Sequence, residues 1–492
     1  MLKICKQLFD AWNKEIAYIH WKSNEHLEAG LNGLTDLDIL IKRTDRDSGL
    51  NILKAVGFIP FRSQFGSRYP YVEDWIGLDD ATGKLVHIHL HFRLITGHRG
   101  LKEYELPWNE LALSSRIQDM ETGVYIMNPN LEILTLFTRI GLKATYIQQI
   151  KACVNKKGIC NCIKENLVNE IEYLSARVDW SEVANCAGQY YEESTALIIH
   201  IIRSSSKLTN AQFLALYKNS RKAMRNQCRY PIYLLFFLRS YYFFTSHLLF
   251  LLKRKFGFNL ITRKVLDSQK GLTLAFVGQD GAGKSTLSKD IEKWLTWKID
   301  VTRYYMGSGE NYHPWQKEIK KTLTGNKNIL CNLLKHILGM SILLSYSKRV
   351  KRIIKWSQKY TEKGGIVIYD RFPQVQYYGI NDGPKIRDFA IKKLNNSLIR
   401  KLINYFAKKE EANLRIASII APDVVFKLML PIEESMKRKP HEDMLAVAKK
   451  NQIVADLLFK GSEVYEIDAR QDQNQELLQV KRLIWKHISA LQ

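Results

Sequence analysis

Apolar and polar positions change period along the chain, and the changes mark out its organisation. Residues 272–277 (LTLAFV) are a short apolar run of strand formers, suited to a strand buried on both faces. After a glycine-rich turn, Leu287, Ile291 and Leu295 recur at helical spacing. Further short apolar runs at 299–305, 365–369, 423–430 and 463–467 are separated by helical patterns. Strands alternating with helices predict an α/β fold over 271–492, a doubly wound parallel sheet with helices on both faces. The earlier pattern differs. Residues 85–92 (LVHIHLHF) alternate strictly, and 31–42 (LNGLTDLDILIK) pass from a glycine turn into a strand, so 1–130 reads as an α+β domain. Apolar positions at helical spacing in 131–150, 167–174 and 196–202 make 131–270 an all-helical connector. Three such parts suit a chain of 492 residues.

Residues 230–252 (YPIYLLFFLRSYYFFTSHLLFLL) break the periodic pattern by being apolar almost throughout. The length allows a membrane span, but Arg239 near the centre would cost about 2.5–3.5 kcal/mol there. Three readings stay open: a buried or interdomain helix, a helix lying on an anionic bilayer surface, and a span. Charge sharpens the question. The chain carries +25, yet residues 1–130 hold 15 Lys and Arg against 17 Asp and Glu, so the excess lies beyond them. Between 201 and 270 there are 14 Lys and Arg and one acid, Asp267. No RNA-binding module accompanies this charge, so nucleic acid is not an expected partner. The first residues lack a signal-peptide apolar core, and the seven cysteines are scattered. We expect reduced thiols and a cytoplasmic protein with peripheral membrane contact as an open alternative; a homodimer is also open.

The candidate chemistry begins at Gly278-Gln279-Asp280-Gly281-Ala282-Gly283-Lys284-Ser285-Thr286, which fits G-x-x-x-x-G-K-[ST] between a strand and a helix. Loop amides and the positive helix end would face a phosphate chain, Lys284 would reach its outer phosphates, and Ser285 would hold Mg²⁺. A second cluster is Asp36-Leu37-Asp38, whose carboxylates share one strand face and suit Mg²⁺ with a triphosphate, or form a solvated acidic strand end. A third is His87, His89 and His91, again on one face. Neighbouring pairs would chelate a metal, with Asp38 as a further ligand across the sheet, or simply line a polar cleft.

With those residues in view, 15–95 resembles the nucleotidyltransferase superfamily, whose D-x-D strand carries two metal-binding carboxylates and a later strand a third. Two departures stand out. His20-Trp21-Lys22-Ser23 replaces the upstream glycine pair, and His89 stands where the third acid is expected. Residues 271–492 resemble thymidylate kinase and, more loosely, P-loop nucleoside monophosphate kinases. The phosphate loop, Ile366-Val367-Ile368-Tyr369-Asp370-Arg371-Phe372, Pro422-Asp423-Val424 with Lys437-Arg438-Lys439, and Ile467-Asp468-Ala469 carry this resemblance. It implies ATP and Mg²⁺ as cofactors and phosphoryl transfer to an acceptor. It also implies roles: Gly278, Gly281, Gly283, Lys284, Ser285 and Thr286 for the donor, Asp370 for the metal's water shell, and Arg371 between donor and acceptor. Asp280 would stand near the acceptor, Arg438 on a mobile lid, and Arg349 at the acceptor phosphate. The base-reading stretch of that family is replaced by Gln376-Tyr377-Tyr378-Gly379. Such a fusion resembles proteins of bacterial surface-polysaccharide synthesis, which implies a sugar or glycan acceptor as the first alternative; a non-catalytic nucleotide binder is the second.

Overall fold

The structure, a computed structural model, describes residues 1–63, 68–98, 100–160, 165–204, 208–256, 263–268, 270–279, 281–307, 329–387, 397–438 and 443–491. By packing, the chain forms two compact units, Met1–Thr262 and Arg263–Gln492.

The first unit is built on a mixed sheet. Its strands are β1 (Tyr18–His20), β2 (Leu37–Ile41), β3 (Ile59–Arg62), β4 (Val72–Asp79), β5 (Lys84–His91), β6 (Ile117–Gln118) and β7 (Tyr125–Ile126), hydrogen-bonded in the order β3-β4-β5-β2-β1-β7-β6. Strand alternation gives the sheet two apolar faces. Leu37, Ile39, Ile41, Val86, Ile88 and Leu90 pack on one side against helix α1 (Lys3–Glu15), which presents Ile4, Cys5, Leu8, Phe9 and Trp12 at helical spacing. Ile19, Trp21 and Leu40 face the other side, with Leu94, Leu106, Trp108 and Leu131. β2 and β5 run parallel with Asp38 opposite His89, and β4 runs antiparallel to β5 with Asp74 opposite the same His89. The three strands therefore bring their polar side chains to one place.

The helical stretch that follows packs within this unit. The run expected over 131–150 is two helices, α2 (Pro129–Leu142) and α3 (Tyr146–Val154). Thr145 and Gln148 form a capping box that restarts the helix after Lys143, a signal legible as T-x-x-Q. The apolar stretch forms α4 (Ile232–Phe256). Among the described residues no helix is long and apolar enough to cross a membrane. Arg239 is buried and its Nε donates to Glu103 Oε1 at 3.0 Å, while Glu103 itself is fully buried. Leu235 and Arg239 thus face the protein. Tyr233, Phe236, Phe237, Tyr241, Phe244 and Leu248 remain exposed on the same helix. Cys5, Cys153, Cys186 and Cys228 are free thiols, but Cys160 is disulfide-bonded, against the expectation of reduced thiols throughout.

The second unit is the doubly wound type expected. Five parallel strands, β8 (Leu272–Gly278), β9 (Val301–Tyr305), β10 (Ile366–Asp370), β11 (Val424–Met429) and β12 (Glu463–Asp468), lie in the order β9-β10-β8-β11-β12. The four connections between successive strands run through helices, as parallel pairing requires. The carboxyl ends of all five share one edge of the sheet. At that edge Phe276 pairs with Asp370 and Gly278 with Leu428.

The Glu103–Arg239 pair gives a test of the first unit. Glu103→Ala leaves a buried guanidinium without its partner and should lower stability by about 3–5 kcal/mol. Replacing both residues by Met should recover most of that loss. Denaturant unfolding of the three variants measures it.

Candidate phosphate-binding site and a histidine–carboxylate ladder

The phosphate loop lies between β8 and helix α5 (Lys284–Leu295), so the helix N-terminus opens onto the loop. The glycines are needed there. Gly281 and Gly283 adopt φ of +88° and +84°, and a Cβ on Gly278 would stand 2.6 Å from the Leu428 carbonyl oxygen. Lys284 is buried and its Nζ donates to the carbonyl oxygens of Gly278 and Gln279, wrapping the side chain around the loop. Ser285 Oγ donates to Asp370 Oδ1 at 3.2 Å, across the gap between the helix and the end of β10. A hydroxyl and a buried carboxylate at this spacing can share one hydrated divalent cation.

Asp370 has a second partner that the sequence did not reveal. Arg303 on β9 donates through Nη1 to Asp370 Oδ2 at 3.1 Å and through Nε to Glu292 Oε2 at 2.8 Å. No motif surrounds Arg303; only strand pairing brings it there, with Tyr304 and Tyr305 opposite Tyr369 and Asp370. Arg371 sits at φ +70°, a backbone region that disfavours side chains with a Cβ, and its Nη1 lies 3.7 Å from Asp382 Oδ2. Arg349 Nη2 donates to the Tyr305 carbonyl at 3.3 Å, so the helix Ile329–Thr361 delivers it to the end of β9. Arg438 donates to Gly281 O at 3.0 Å and to Ala469 O at 3.1 Å, joining the expected lid segment to the loop. Lys437 instead pairs with Glu434 on its own helix. Asp280 and Lys439 lie outside the described residues.

The stretch after Arg371 is committed to the fold. Gln376 Nε2 donates to Leu458 O at 2.6 Å and its Oε1 accepts from Leu458 N at 3.0 Å. Tyr378 donates to Glu411 at 3.1 Å. Phe372, Pro373, Gln374, Gln376, Ser418 and Phe459 line a cavity of about 290 Å³.

In the first unit the polar strand faces form a ladder. His87 bridges Asp36 (Nδ1 to Oδ1, 2.7 Å) and Asp74 (Nε2 to Oδ1, 3.1 Å). His89 bridges Asp74 (Nε2, 2.9 Å) and Asp38 (Nδ1, 3.4 Å), and His91 Nε2 stands 3.4 Å from the same Asp38 oxygen. Lys22 Nζ lies 2.7 Å from it as well. A further carboxylate on this face, Asp74, comes from β4; its segment, VEDWIGLD, has no distinguishing pattern. Asp36 stands against His87, and Asp38 against His89 and His91.

Burial and charge set the protonation of this ladder. Burial opposes ionisation of Asp38, but Lys22, His89 and His91 outweigh it and hold the carboxyl well below its usual range. Burial would lower His89; the Asp38 and Asp74 carboxylates beside its two ring nitrogens outweigh that and raise it to about 9. His91, more weakly supported, is pushed down to about 4 by burial. Cations gather nearby. Burial pushes Lys102 down to about 8, aided by Lys22 and Arg139, and the Arg139 charge is the first cause of a strongly lowered Lys143.

No family model matches the chain. Over 223 residues it is 25% identical to the uncharacterized ATP-binding protein YghR of Escherichia coli strain K12, covering 43% of this chain and 86% of that protein. The uncharacterized ATP-binding protein YghS of the same strain is 25% identical over 229 residues, or 44% and 92% of the two chains. These are distant similarities.

The raised His89 predicts a pH dependence of stability. A folded-state value near 9 against an ordinary 6.5 contributes stability that is complete below about pH 6.5 and lost as the pH rises through 9. Chelator-treated protein should therefore unfold at lower denaturant as the pH climbs from 6.5 to 9.5. His89→Gln should flatten that alkaline decline.

Proposed function

We propose that the second unit binds Mg·ATP at its phosphate loop and transfers the γ-phosphoryl group to an acceptor, most simply a nucleoside monophosphate. The observation that carries this reading is the approach of Ser285 to Asp370 beside the loop lysine. The names of the two relatives support ATP as the ligand. Phosphoryl transfer asks for in-line positioning and charge neutralisation more than covalent help. Lys284, freed from the loop carbonyls, would hold the outer phosphates; Ser285 and Asp370 would hold Mg²⁺ and its waters. Arg371 and Arg303 would supply positive charge where it develops between donor and acceptor, Arg349 would meet the acceptor phosphate, and Arg438 would couple lid closure to the loop. Closure would also exclude water and limit ATP hydrolysis.

A second reading has its own support: phosphorylation of a sugar or glycan at a membrane surface. Gln376 and Tyr378 are tied to Leu458 and Glu411, where a base-reading pocket would need them free to turn inward. The exposed aromatic face of α4, with basic residues at both ends of the helix, suits an anionic bilayer surface. We read the first unit as a binding module of nucleotidyltransferase type, with Asp36 and Asp38 among its candidate metal ligands.

The test is ADP release from pure protein with Mg·ATP and a panel of nucleoside monophosphates. Wild type should turn over, and Lys284→Ala should lose about 10²–10³-fold or more. Thymidylate preference supports the first reading. Tight ATP binding with turnover only on glycan acceptors moves the assignment to the second, and nucleotide binding without turnover on either class rejects a kinase.

A further inference from the structure

We propose that Asp38, His89 and His91 form a transition-metal site in the first unit, one that works without the phosphate loop. One ligand atom from each of the three lies within 4.8 Å of the others. The distances inside the ladder fall into two classes. His87 to Asp36 at 2.7 Å and His89 Nε2 to Asp74 at 2.9 Å are direct charge-assisted hydrogen bonds. Asp38 Oδ1 to His89 Nδ1 and to His91 Nε2 are both 3.4 Å, too long for such bonds. Ligand atoms at the corners of a tetrahedron around an ion with bonds of about 2.0–2.2 Å stand about 3.3–3.6 Å apart. The wider spacing is that of atoms sharing an ion.

Two further observations agree. His91 is buried, and neither ring nitrogen has a hydrogen-bond partner. An orphaned buried imidazole is costly, and a metal bond would satisfy it. His89 has its second nitrogen backed by Asp74, which also accepts from Ser63 Oγ at 2.5 Å. A carboxylate behind a ligating histidine fixes its ring and strengthens it as a donor. The neighbouring set Asp36, His87 and His89 is less suitable, because both nitrogens of His87 are already directly bonded.

Two imidazoles and one carboxylate select a first-row transition ion over Mg²⁺, which prefers oxygen ligands. Lys22 supplies the positive charge beside Asp38 when metal is absent, and the ion would displace its ammonium. Three protein ligands leave a fourth position. The cations Lys22, Lys102 and Arg139 act on this same neighbourhood, so an anion is the ligand class that would fill it.

Untagged full-length protein, stripped with a chelator and dialysed, is titrated with Co²⁺. One equivalent per chain should bind, with the visible ligand-field bands of four-coordinate Co²⁺, and Zn²⁺ but not excess Mg²⁺ should displace it. His91→Ala should abolish those bands, and Asp74→Asn should weaken binding about 10–100-fold. His87→Gln and Lys284→Ala should each keep one equivalent; Lys284→Ala separates this site from the kinase reading. Sub-stoichiometric uptake by wild type overturns the proposal, whether or not the variants fold. So does unchanged binding by folded His91→Ala, or loss in folded His87→Gln.

Discussion

The contact between Ser285 and Asp370 depends on strand register, and the candidate phosphate site is arranged around that contact. Ser285 begins the helix after the loop, and Asp370 ends β10. They are 85 residues apart and meet because β8 and β10 pair in parallel with Phe276 opposite Asp370. A slip of one residue would turn Asp370 to the other sheet face, since side chains alternate. The same pairing extends to β9 and brings Arg303 to the second oxygen of Asp370. Asp370, 1% exposed, is thus held between a hydroxyl and a guanidinium. A buried carboxylate needs such partners, and these two are also what a metal-assisted phosphoryl transfer would use.

The first unit solves a similar problem differently. Its central sheet is apolar on both faces, yet at β2, β4 and β5 it buries several ionisable groups. They are compensated by alternation, carboxylate against imidazole, with Lys22 at one end. On the same principle Arg239 lies buried on a largely apolar helix, opposite Glu103. That pair fixes which side of the helix faces the protein and leaves its aromatic side outward.

Much of this was legible in the sequence where chemistry and spacing coincide locally. The loop from Gly278 to Thr286, the pair Asp370-Arg371 and the alternation of His87, His89 and His91 each lie within one short continuous stretch of sequence. The parallel sheet followed from the order of strands and helices. What stayed hidden depends on pairing between distant segments. Arg303 and Asp74 sit in strands without a motif, and register alone gives them their partners. Glu103 and Arg239 are separated by 136 positions, so the arginine read as an obstacle within an apolar run until its partner was located. The break between α2 and α3 was a different case, since the Thr145–Gln148 cap was present in the sequence but outweighed by the longer apolar pattern.

A crystal structure of the protein with Mg²⁺ and a non-hydrolysable ATP analogue tests the central claim most directly. The account predicts phosphates in the loop, Lys284 Nζ released from the Gly278 and Gln279 carbonyls onto the outer phosphates, and one Mg²⁺ between Ser285 and Asp370. Nucleotide bound elsewhere, or a loop-bound nucleotide with Lys284 still folded onto the carbonyls and no metal at Asp370, would contradict it.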